Sequence, residues 1–300
     1  IDATAAVTDL DSANFDTGTL TVAFQTNGSA DDRLEIRNEG TTAGLIGVNG
    51  TNVTFGGTTI GTFAGGSGTT ALVVTFNSAL ATPTAVTALL KNITYRNVSD
   101  TPSTLPRTVR FTLVDGDGTA NSGTDTDAED KTINVTAVND PPVVTLSTET
   151  LTYTENGTAL ILNATATVID VDSTNFDTGT LTVSLFANGS ADDRLEIRNQ
   201  GTAADQIGVN GSNVTFGTTT IGTFAGGSGT SPLVVTLNAN ATPTATAALL
   251  RNFTYRNVSD NISALQRTVR FVLTDGDGTA NGGLNSDTDD RLLTVDAVND

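Results

Sequence analysis

The chain has 300 residues and a formal net charge of −19 at pH 7, and it contains no Cys, His, Trp or Met. Disulfides are therefore excluded, and the commonest general base and transition-metal ligands are missing, so we do not expect an enzyme. The negative charge disfavours nucleic acid as a partner and favours a cation or a neutral polar surface. No apolar run reaches the ~18 residues that a membrane helix needs.

The sequence is one unit of about 160 residues written twice. For example, "NGSADDRLEIRNEG" at 27–40 returns as "NGSADDRLEIRNQG" at 188–201. A repeat of this length is a whole domain in tandem and is longer than a solenoid unit. We therefore predict one domain over residues 1–140 and a second over residues 141–300.

Alternation of apolar and polar residues predicts β-strands through each unit. The stretch "LTVAFQ" places Leu20, Val22 and Phe24 on one face, and "TVRFTLVD" alternates in the same way. Gly-rich turns such as "AGGSGTT" separate these runs. The predicted fold class is all-β, with a sandwich of seven or more strands in each unit.

One segment of each unit breaks the strand pattern and predicts a short helix. It reads "TPTAVTALLKN" at 82–92 and "TPTATAALLRN" at 242–252. Thr82 is suited to the N-cap and Pro83 to the first turn. The apolar face predicted for the first helix comprises Val86, Leu89 and Leu90.

Residues 141–161, "PPVVTLSTETLTYTENGTALI", belong to the second unit alone, since Ile1 aligns with Leu162. In a sandwich this stretch would form the first strand or two. We therefore expect an exposed sheet edge in the first unit, and such an edge invites pairing with another chain. Either the chain is cut from a longer array, or a neighbouring chain supplies the missing strand.

An acidic phrase occurs in both units. "VTDLDSANFDTG" at 7–18 returns as "VIDVDSTNFDTG" at 168–179, with two carboxylates flanking one apolar residue at the end of a strand. Without a counter-charge these carboxylates would raise each other's pKa and push the loop apart. Ca²⁺ takes six to eight oxygen ligands in irregular geometry, so the phrase predicts a calcium site. The alternative is an Asx-turn that ends the strand.

Other acidic residues have plainer interpretations. "DGDG" is a strong hairpin signal, so Asp117 and Asp277 are predicted to be turn residues. In "SADDRLE", we expect Asp31 and Asp32 to lie in a loop and to face Arg33 or solvent. A role as ion ligands is the alternative.

Two longer acidic runs align with each other. They are "DTDAED" at 125–130 and "NSDTDD" at 285–290. Runs of this kind are usually solvated, so we predict loop tips. A second, weaker ion site is the alternative.

Taken together, these motifs resemble the bacterial cadherin-like tandem repeats of giant secreted and surface adhesins. "TENGTALILNATATVIDVD" is similar to a cadherin first strand, in which Glu-Asn precedes a strand that ends in Asp-x-Asp. "VLTDGDG" matches the late Asp-x-Gly turn, and "AVNDPPVV" is similar to a cadherin linker. The resemblance covers the whole chain and implies two tandem cadherin/Ig-like β-sandwich domains.

The resemblance also implies calcium at the junction between successive domains. The ligands that it implies are Asp170, Asp172, Asp275, Asn139 and Asp140 for the second unit, Asp9, Asp11 and Asp115 for the first, and Glu155 facing the following junction, where Asn299 and Asp300 repeat the linker pair. The chain departs from the family in lacking the Leu-Asp-Arg-Glu stretch, and Ala137 stands where the linker usually has an acidic residue. We therefore expect one ion per junction instead of three.

The expected function is a non-enzymatic, calcium-stiffened extender, stalk or fibre segment of a bacterial extracellular adhesin or matrix protein. Its partners would be calcium ions, adjacent repeats of the same or neighbouring chains, and a polysaccharide or cell surface. One alternative is a carbohydrate-binding module, for which 12 Phe, 3 Tyr and no Trp are a poor supply of aromatic platforms. Another is a self-assembling filament or surface-layer subunit with strand donation in trans.

Overall fold

The computed structural model describes residues 1–119 and 124–298. Contacts within the chain divide it into two units, Ile1–Ala137 and Val138–Asp300. Each unit is built of β-strands with one short α-helix, which confirms the predicted all-β sandwich with a helical insertion. No helix in the described ranges is long and apolar enough to cross a membrane.

Unit 1 contains a large antiparallel sheet and a two-stranded sheet. Its elements are β1 (Thr19–Thr26), β2 (Asp32–Ile36), β3 (Ile46–Asn49), β4 (Asn52–Phe55), β5 (Thr58–Ala64), β6 (Leu72–Phe76), α1 (Pro83–Lys91), β7 (Ile93–Asn97), β8 (Arg107–Val114) and β9 (Thr126–Ile133). The large sheet has the order β3-β4-β5-β6-β1-β8-β9, and β2 pairs with β7. Strand β9 therefore lies at a sheet edge.

The core of unit 1 lies between these two sheets. Leu20 and Val22 of β1 are fully buried, together with Leu34 of β2. Across the sandwich, the rings of Phe24 and Tyr95 meet edge to face with centroids 6.1 Å apart. The predicted alternation thus decides which residues enter the core, because successive side chains of a strand point to opposite faces.

Unit 2 repeats this arrangement and adds strands at its beginning. Its elements are β10 (Val143–Thr145), β11 (Leu151–Thr154), β12 (Leu160–Ile161), β13 (Thr167–Ile169), β14 (Thr180–Ala187), β15 (Asp193–Ile197), β16 (Ile207–Asn210), β17 (Asn213–Phe216), β18 (Thr219–Gly226), β19 (Leu233–Leu237), α2 (Pro243–Leu250), β20 (Phe253–Asn257), β21 (Arg267–Thr274), a short 3-10 helix (Ala280–Gly282) and β22 (Ser286–Asp296). The large sheet has the order β11-β22-β21-β14-β19-β18-β17-β16. A three-stranded sheet, β12-β20-β15, and a pair, β10-β13, complete the unit.

The helix in each unit begins where the sequence predicts. The Thr82 hydroxyl accepts a hydrogen bond from the Ala85 N–H at 3.4 Å, and Thr242 does the same for Ala245 at 3.3 Å. Val86 and Leu89 are fully buried, as expected for the core-facing side of α1. Leu90 is only partly buried against the same core.

The two acidic runs were predicted to be loop tips, and this prediction is wrong. Residues 126–130 lie in β9 and residues 286–290 lie in β22. The strands tolerate these charges because the run in β9 is exposed and because Arg110 and Arg270 on the neighbouring strands form ion pairs with Asp130 and Asp290, both at 2.8 Å. Cross-strand charge pairs of this kind stabilise a sheet.

The prediction that Asp32 faces Arg33 or solvent is also wrong. Asp32 is fully buried at the start of β2. Its carboxylate accepts hydrogen bonds from Tyr95 at 2.6 Å and Asn97 at 2.7 Å, and Arg107, which is also fully buried, lies 3.4 Å away. Burial acts to raise the pKa of Asp32, but these hydrogen bonds and the Arg107 charge lower it to about 2.

Candidate functional site

The first residues of unit 2 and the end of β13 meet because β10 and β13 are antiparallel. Val143 opposes Ile169 in this pair. The segment before β10, which carries Asn139 and Asp140, therefore lies beside the residues that follow β13, namely Asp170 and Asp172. We call this group of residues, with Asp275 after β21, the β13 turn cluster.

Hydrogen bonds tie the linker residues of the cluster to its aspartates. The Asn139 side-chain amide donates to Asp275 Oδ2 at 2.8 Å and to the Leu284 carbonyl at 2.6 Å. The Asp140 N–H donates to Asp172 Oδ2 at 3.0 Å. Hydrogen bonds thus connect Asn139 with Asp275 and Asp140 with Asp172, which are four of the five residues that the resemblance implies as ligands for the second unit.

The Asx-turn that we gave as the alternative is present in the same place. Asp170 Oδ1 accepts the N–H of Asp172 at 3.2 Å and that of Ser173 at 2.9 Å. The turn uses only one oxygen of Asp170, however, and the Asp140 N–H occupies only one oxygen of Asp172. Asp170 Oδ2 and Asp172 Oδ1 are buried and have no hydrogen-bond partner. The turn and an ion site are therefore compatible, since the turn leaves these two oxygens free.

The electrostatics of the cluster are unfavourable without a counter-ion. Burial is the main cause that raises the pKa of Asp170 to about 6, and the neighbouring Asp172 carboxyl adds to it. Asp275 is fully buried. Within the described ranges, no Lys or Arg forms an ion pair with Asp170, Asp172 or Asp275. A buried carboxylate without a partner is costly, and a bound cation would remove that cost.

Sequence reasoning missed two members of the cluster. Ser173 donates its hydroxyl proton to Asp277 Oδ2 at 2.5 Å, and the Asp277 N–H donates to Asp275 Oδ1 at 2.8 Å. Asp277 is a turn residue, as predicted, but it also links the two acidic turns. The sequence could have indicated Ser173, because a Ser follows the Asp-x-Asp in both copies of the acidic phrase.

Unit 1 forms the same turn with more exposed side chains. Asp9 Oδ1 accepts the N–H groups of Asp11 and Ser12, and Ser12 donates to Asp117. Asp115 Oδ1 in turn accepts the Asp117 N–H at 2.8 Å. The hydrogen bond and charge of Asp9 raise the pKa of Asp11, whereas the Ser12 N–H lowers that of Asp9.

Glu155 lies apart from the β13 turn cluster. It is 4% exposed, and its two carboxylate oxygens accept the N–H groups of Ile262 at 3.2 Å and Val298 at 2.8 Å. Its role as a ligand at a following junction stays a prediction. Asn299 and Asp300, which would share that junction, lie outside the described residues.

The donor set of the cluster suits calcium better than other metals. It offers only carboxylate, amide, hydroxyl and carbonyl oxygens, which are hard ligands. Among the described residues, no group of three or more His, Cys, Asp or Glu side chains is already placed to hold a metal ion. A cation at the β13 turn cluster would therefore need some side chains to turn. Asn139 would release Asp275, which its side-chain amide now binds.

Comparisons with known proteins add little to this picture. No protein-family model matches the chain, and no curated protein is significantly similar to it. Eight solved chains match, one of them in the crystal structure of mouse cadherin-23 EC22-24, with 11% sequence identity and a TM-score of 0.28. The match covers 97% of this chain and 58% of that one, so this chain spans little more than half of its length. At this TM-score we base no conclusion on the similarity.

Proposed function

We propose that the chain is a non-enzymatic structural segment of an extracellular protein and that unit 2 binds one calcium ion at the β13 turn cluster. The observation that carries the proposal is the pair of buried, unpartnered oxygens, Asp170 Oδ2 and Asp172 Oδ1. Buried polar atoms are almost always paired, so two such atoms on adjacent acidic side chains favour a missing cation.

Four aspartates and one asparagine would hold the ion. Asp170 and Asp172 would supply their free oxygens, and Asp275, Asn139 and Asp140 would complete the shell. Calcium would supply the positive charge that the cluster lacks. Because Asn139 and Asp140 precede β10, their ligation would fix the first residues of unit 2 to the body of that unit.

The expected gain in stability is modest. Extracellular calcium modules bind with Kd of about 10⁻⁴–10⁻³ M. At a tenfold to hundredfold excess over Kd, one ion would contribute roughly 1.4–2.7 kcal/mol to the free energy of unfolding. That is a useful part of the ~5–15 kcal/mol that stabilises a typical domain.

The role that fits these features is an extender, adhesin stalk or fibre segment of a bacterial surface or matrix protein. The tandem repeat, the net charge of −19 and the absence of His and Cys support it. An ion that fixes the linker would reduce hinge motion and keep a row of such units extended. Adjacent repeats of the same or a neighbouring chain would be its natural partners.

The carbohydrate-binding alternative gains no support from the described surface. Among the large apolar residues that are exposed in the described part of the chain, Phe186 is the aromatic one, and it is 60% exposed. The Arg270 guanidinium covers its ring, with its carbon 3.4 Å from the ring centroid. A ring already stacked in this way is a poor platform for a sugar.

Calorimetric titration with CaCl₂ tests the proposal. We expect the Asp170→Asn, Asp172→Asn double variant to lose the unit 2 site, which would weaken binding at least tenfold because both free oxygens lose their charge. The matched control is Asp192→Asn, since Asp192 is exposed and its side chain lies outside the cluster.

Two results would contradict the proposal. One is wild-type protein that binds no calcium at millimolar concentration. The other is a double variant that folds, as judged by circular dichroism, and binds calcium like the Asp192→Asn control. MgCl₂ in place of CaCl₂ should bind more weakly, because Mg²⁺ demands a regular octahedron that this irregular loop does not offer.

A further inference from the structure

The phrase "NGSADDRLEIRNEG" differs between the two units at a single position. Glu39 of unit 1 is replaced by Gln200 in unit 2, and all other residues of the phrase are identical. The replacement removes a negative charge and keeps the length of the side chain. The contacts of Glu39 in unit 1 therefore indicate which groups in unit 2 are left without a carboxylate.

In unit 1, two side chains bind the Glu39 carboxylate. Arg37 Nη2 donates to Glu39 Oε1 at 3.0 Å, and the Asn92 side-chain amide donates to Glu39 Oε2 at 2.9 Å. Arg37 Nε also donates to Asn92 Oδ1 at 2.8 Å, so the two donors hold each other in place. Hydrogen bonds between a guanidinium and a carboxylate are among the strong ones. We call Arg37 and Asn92, and the equivalent Arg198 and Asn252 of unit 2, the Arg–Asn pair.

Unit 2 keeps the Arg–Asn pair but not the carboxylate. Arg198 Nε donates to Asn252 Oδ1 at 2.8 Å, and Asn252 is 4% exposed, as Asn92 is. Gln200 Oε1 instead accepts the Ile207 N–H at 3.1 Å. Within residues 1–119 and 124–298, no carboxylate forms an ion pair with Arg198. The guanidinium is therefore oriented by Asn252 and has no counter-charge there.

Arg198 also lines an open cleft of unit 2. The volume of the cleft is about 520 Å³, and its apolar lining includes Ile197 and Phe224, which are both partly buried. Ligand sites in proteins typically have volumes of about 300–1,000 Å³ and combine apolar walls with a few polar groups. The cleft therefore has room for a small ligand next to the Arg–Asn pair.

The charges of the cleft favour a negatively charged ligand. Arg194 lines it too, and its Nη1 donates to the main-chain carbonyls of Ala191 and Asp193. The glutamate in the lining, Glu196, is already held by Arg256 at 2.8 Å. A cleft with excess positive charge attracts anions, whereas the net charge of −19 repels a dense polyanion. A ligand with one negative charge fits both conditions.

A polypeptide strand is a poorer fit than a small molecule. The edge of β15 at the cleft is already paired with the loop that follows β18. The Leu195 N–H donates to the Gly227 carbonyl at 2.8 Å, and the Gly229 N–H donates to the Asp193 carbonyl at 2.8 Å. A ligand would therefore be recognised by side chains, and strand addition is blocked over these residues.

We propose that unit 2 binds a small organic monocarboxylate with an apolar body at the Arg–Asn pair. The carboxylate takes the place that Glu39 has in unit 1, on the terminal nitrogens of Arg198 and the Asn252 amide. The apolar body lies in the cleft against Ile197 and Phe224. The proposal is independent of the calcium site, because no residue of the β13 turn cluster takes part.

Titration with sodium benzoate, followed by NMR of the arginine Nε–H groups, tests the proposal. Benzoate replaces NaCl at constant ionic strength in a calcium-free buffer without chelator, since chelators are themselves carboxylates. We expect the Arg198 signal to shift and to saturate in the millimolar range. The Arg37 signal in the same spectrum is the internal control and should stay, because Glu39 occupies that guanidinium. Acetate, which lacks the apolar body, should bind more weakly.

Two reciprocal substitutions sharpen the test. Gln200→Glu should weaken benzoate binding at Arg198 by about fivefold or more, because the tethered carboxylate competes for the same donors. Glu39→Gln should make the Arg37 signal respond to benzoate. Each new residue already stands at the equivalent position of the other unit, so both variants are expected to fold. Gln266→Glu adds the same charge at an exposed residue outside the cleft and should leave binding unchanged.

Three outcomes would overturn the proposal. One is an Arg198 signal that does not shift with benzoate, or that shifts without saturating as the Arg37 signal does. Another is a Gln200→Glu variant with the amide spectrum of a folded chain and the wild-type affinity for benzoate. The third is equal affinity for acetate and benzoate, which would exclude the cleft from the site. The calcium titrations described above are unaffected by any of these results.

Discussion

At the scale of single residues, the buried carboxylates differ in whether the protein itself supplies a positive charge beside them. Asp193 is fully buried, and it accepts hydrogen bonds from Tyr255 at 2.5 Å and Asn257 at 2.6 Å. Arg267, also fully buried, lies 3.7 Å from it. Asp170 has no such cation, although one of its oxygens is buried. The protein supplies the counter-charge of the first carboxylate, whereas the second calls for a ligand.

Removing Asp193 should therefore be severe. The Asp193→Ala substitution would leave the Arg267 charge buried and unpaired, which typically costs about 3–5 kcal/mol. Urea unfolding followed by circular dichroism measures the loss. Asp192→Ala, at the exposed neighbour, should change the free energy of unfolding by no more than ~0.5 kcal/mol. Equal losses in the two variants would show that the buried Asp193–Arg267 pair contributes no more to the free energy of unfolding than the exposed Asp192.

The pKa of Asp170 predicts how calcium binding depends on pH. The pKa of Asp170 is raised to about 6 in the folded state. Protonation of Asp170 therefore stabilises the ion-free fold. This contribution is fully present at pH values below the unfolded pKa, and it is lost as the pH rises through 6. Calcium competes with that proton. Below pH 6 we expect the apparent affinity to fall by up to about tenfold per pH unit, with proton release on binding.

Titration at pH 5 and pH 7 in buffers of different ionisation enthalpy would detect the released proton. In the Asp170→Asn variant, any remaining calcium binding should lose this pH dependence. An affinity for calcium that is the same at both pH values in the wild-type protein would rule out Asp170 as a ligand.

At the scale of elements, the helix caps are the clearest link between sequence and structure. Thr242 accepts a hydrogen bond from the Ala245 N–H at the start of α2, and Pro243 follows it in the first turn. The helix has only eight residues, so it depends on its cap and on the burial of Leu249 and Leu250.

The Thr242→Ala substitution should lower the free energy of unfolding of unit 2 by about 1 kcal/mol, because one N–H of the first turn loses its acceptor. Thr244→Ala is the matched control: Thr244 is exposed in the same turn, and alanine is the better helix former. Scanning calorimetry resolves the effect. A Thr244→Ala variant that is destabilised as much as Thr242→Ala would argue against the cap.

At the scale of the whole molecule, the net charge of −19 and the proposed ion act in opposite directions. Charge repulsion alone would favour separated units joined by a mobile linker, whereas an ion held by Asn139 and Asp140 would order the end of that linker. The mechanical role that we propose depends on this ordering. The mechanical role therefore predicts that calcium changes the shape of the full chain, in addition to the stability of unit 2.

Small-angle X-ray scattering in calcium and in chelator measures that shape. We expect the longest dimension of the full chain to shorten, and its distribution to broaden, when calcium is removed at constant ionic strength. The Asp170→Asn, Asp172→Asn variant in calcium should give the profile of the chelated protein. If calcium binds but the wild-type profile is unchanged by its removal, the ion has no stiffening role.

Local patterns in the sequence were sufficient for much of this protein. Strand alternation and the helix caps depend on neighbours that are close along the chain, so Leu20, Val22 and Thr82 could be assigned correctly. The Asx-turn at Asp170 is also local, because its partners are two and three residues away.

Tertiary structure alone decided which charges are buried and which pairs meet. "SADDRLE" contains two adjacent aspartates, and only the distant Arg107 and Tyr95 explain why Asp32 enters the core. The β10–β13 pairing likewise brings Asp140 to Asp172. The physical reason is the same in each case: burial and hydrogen bonding depend on groups that are near in space but far apart along the chain.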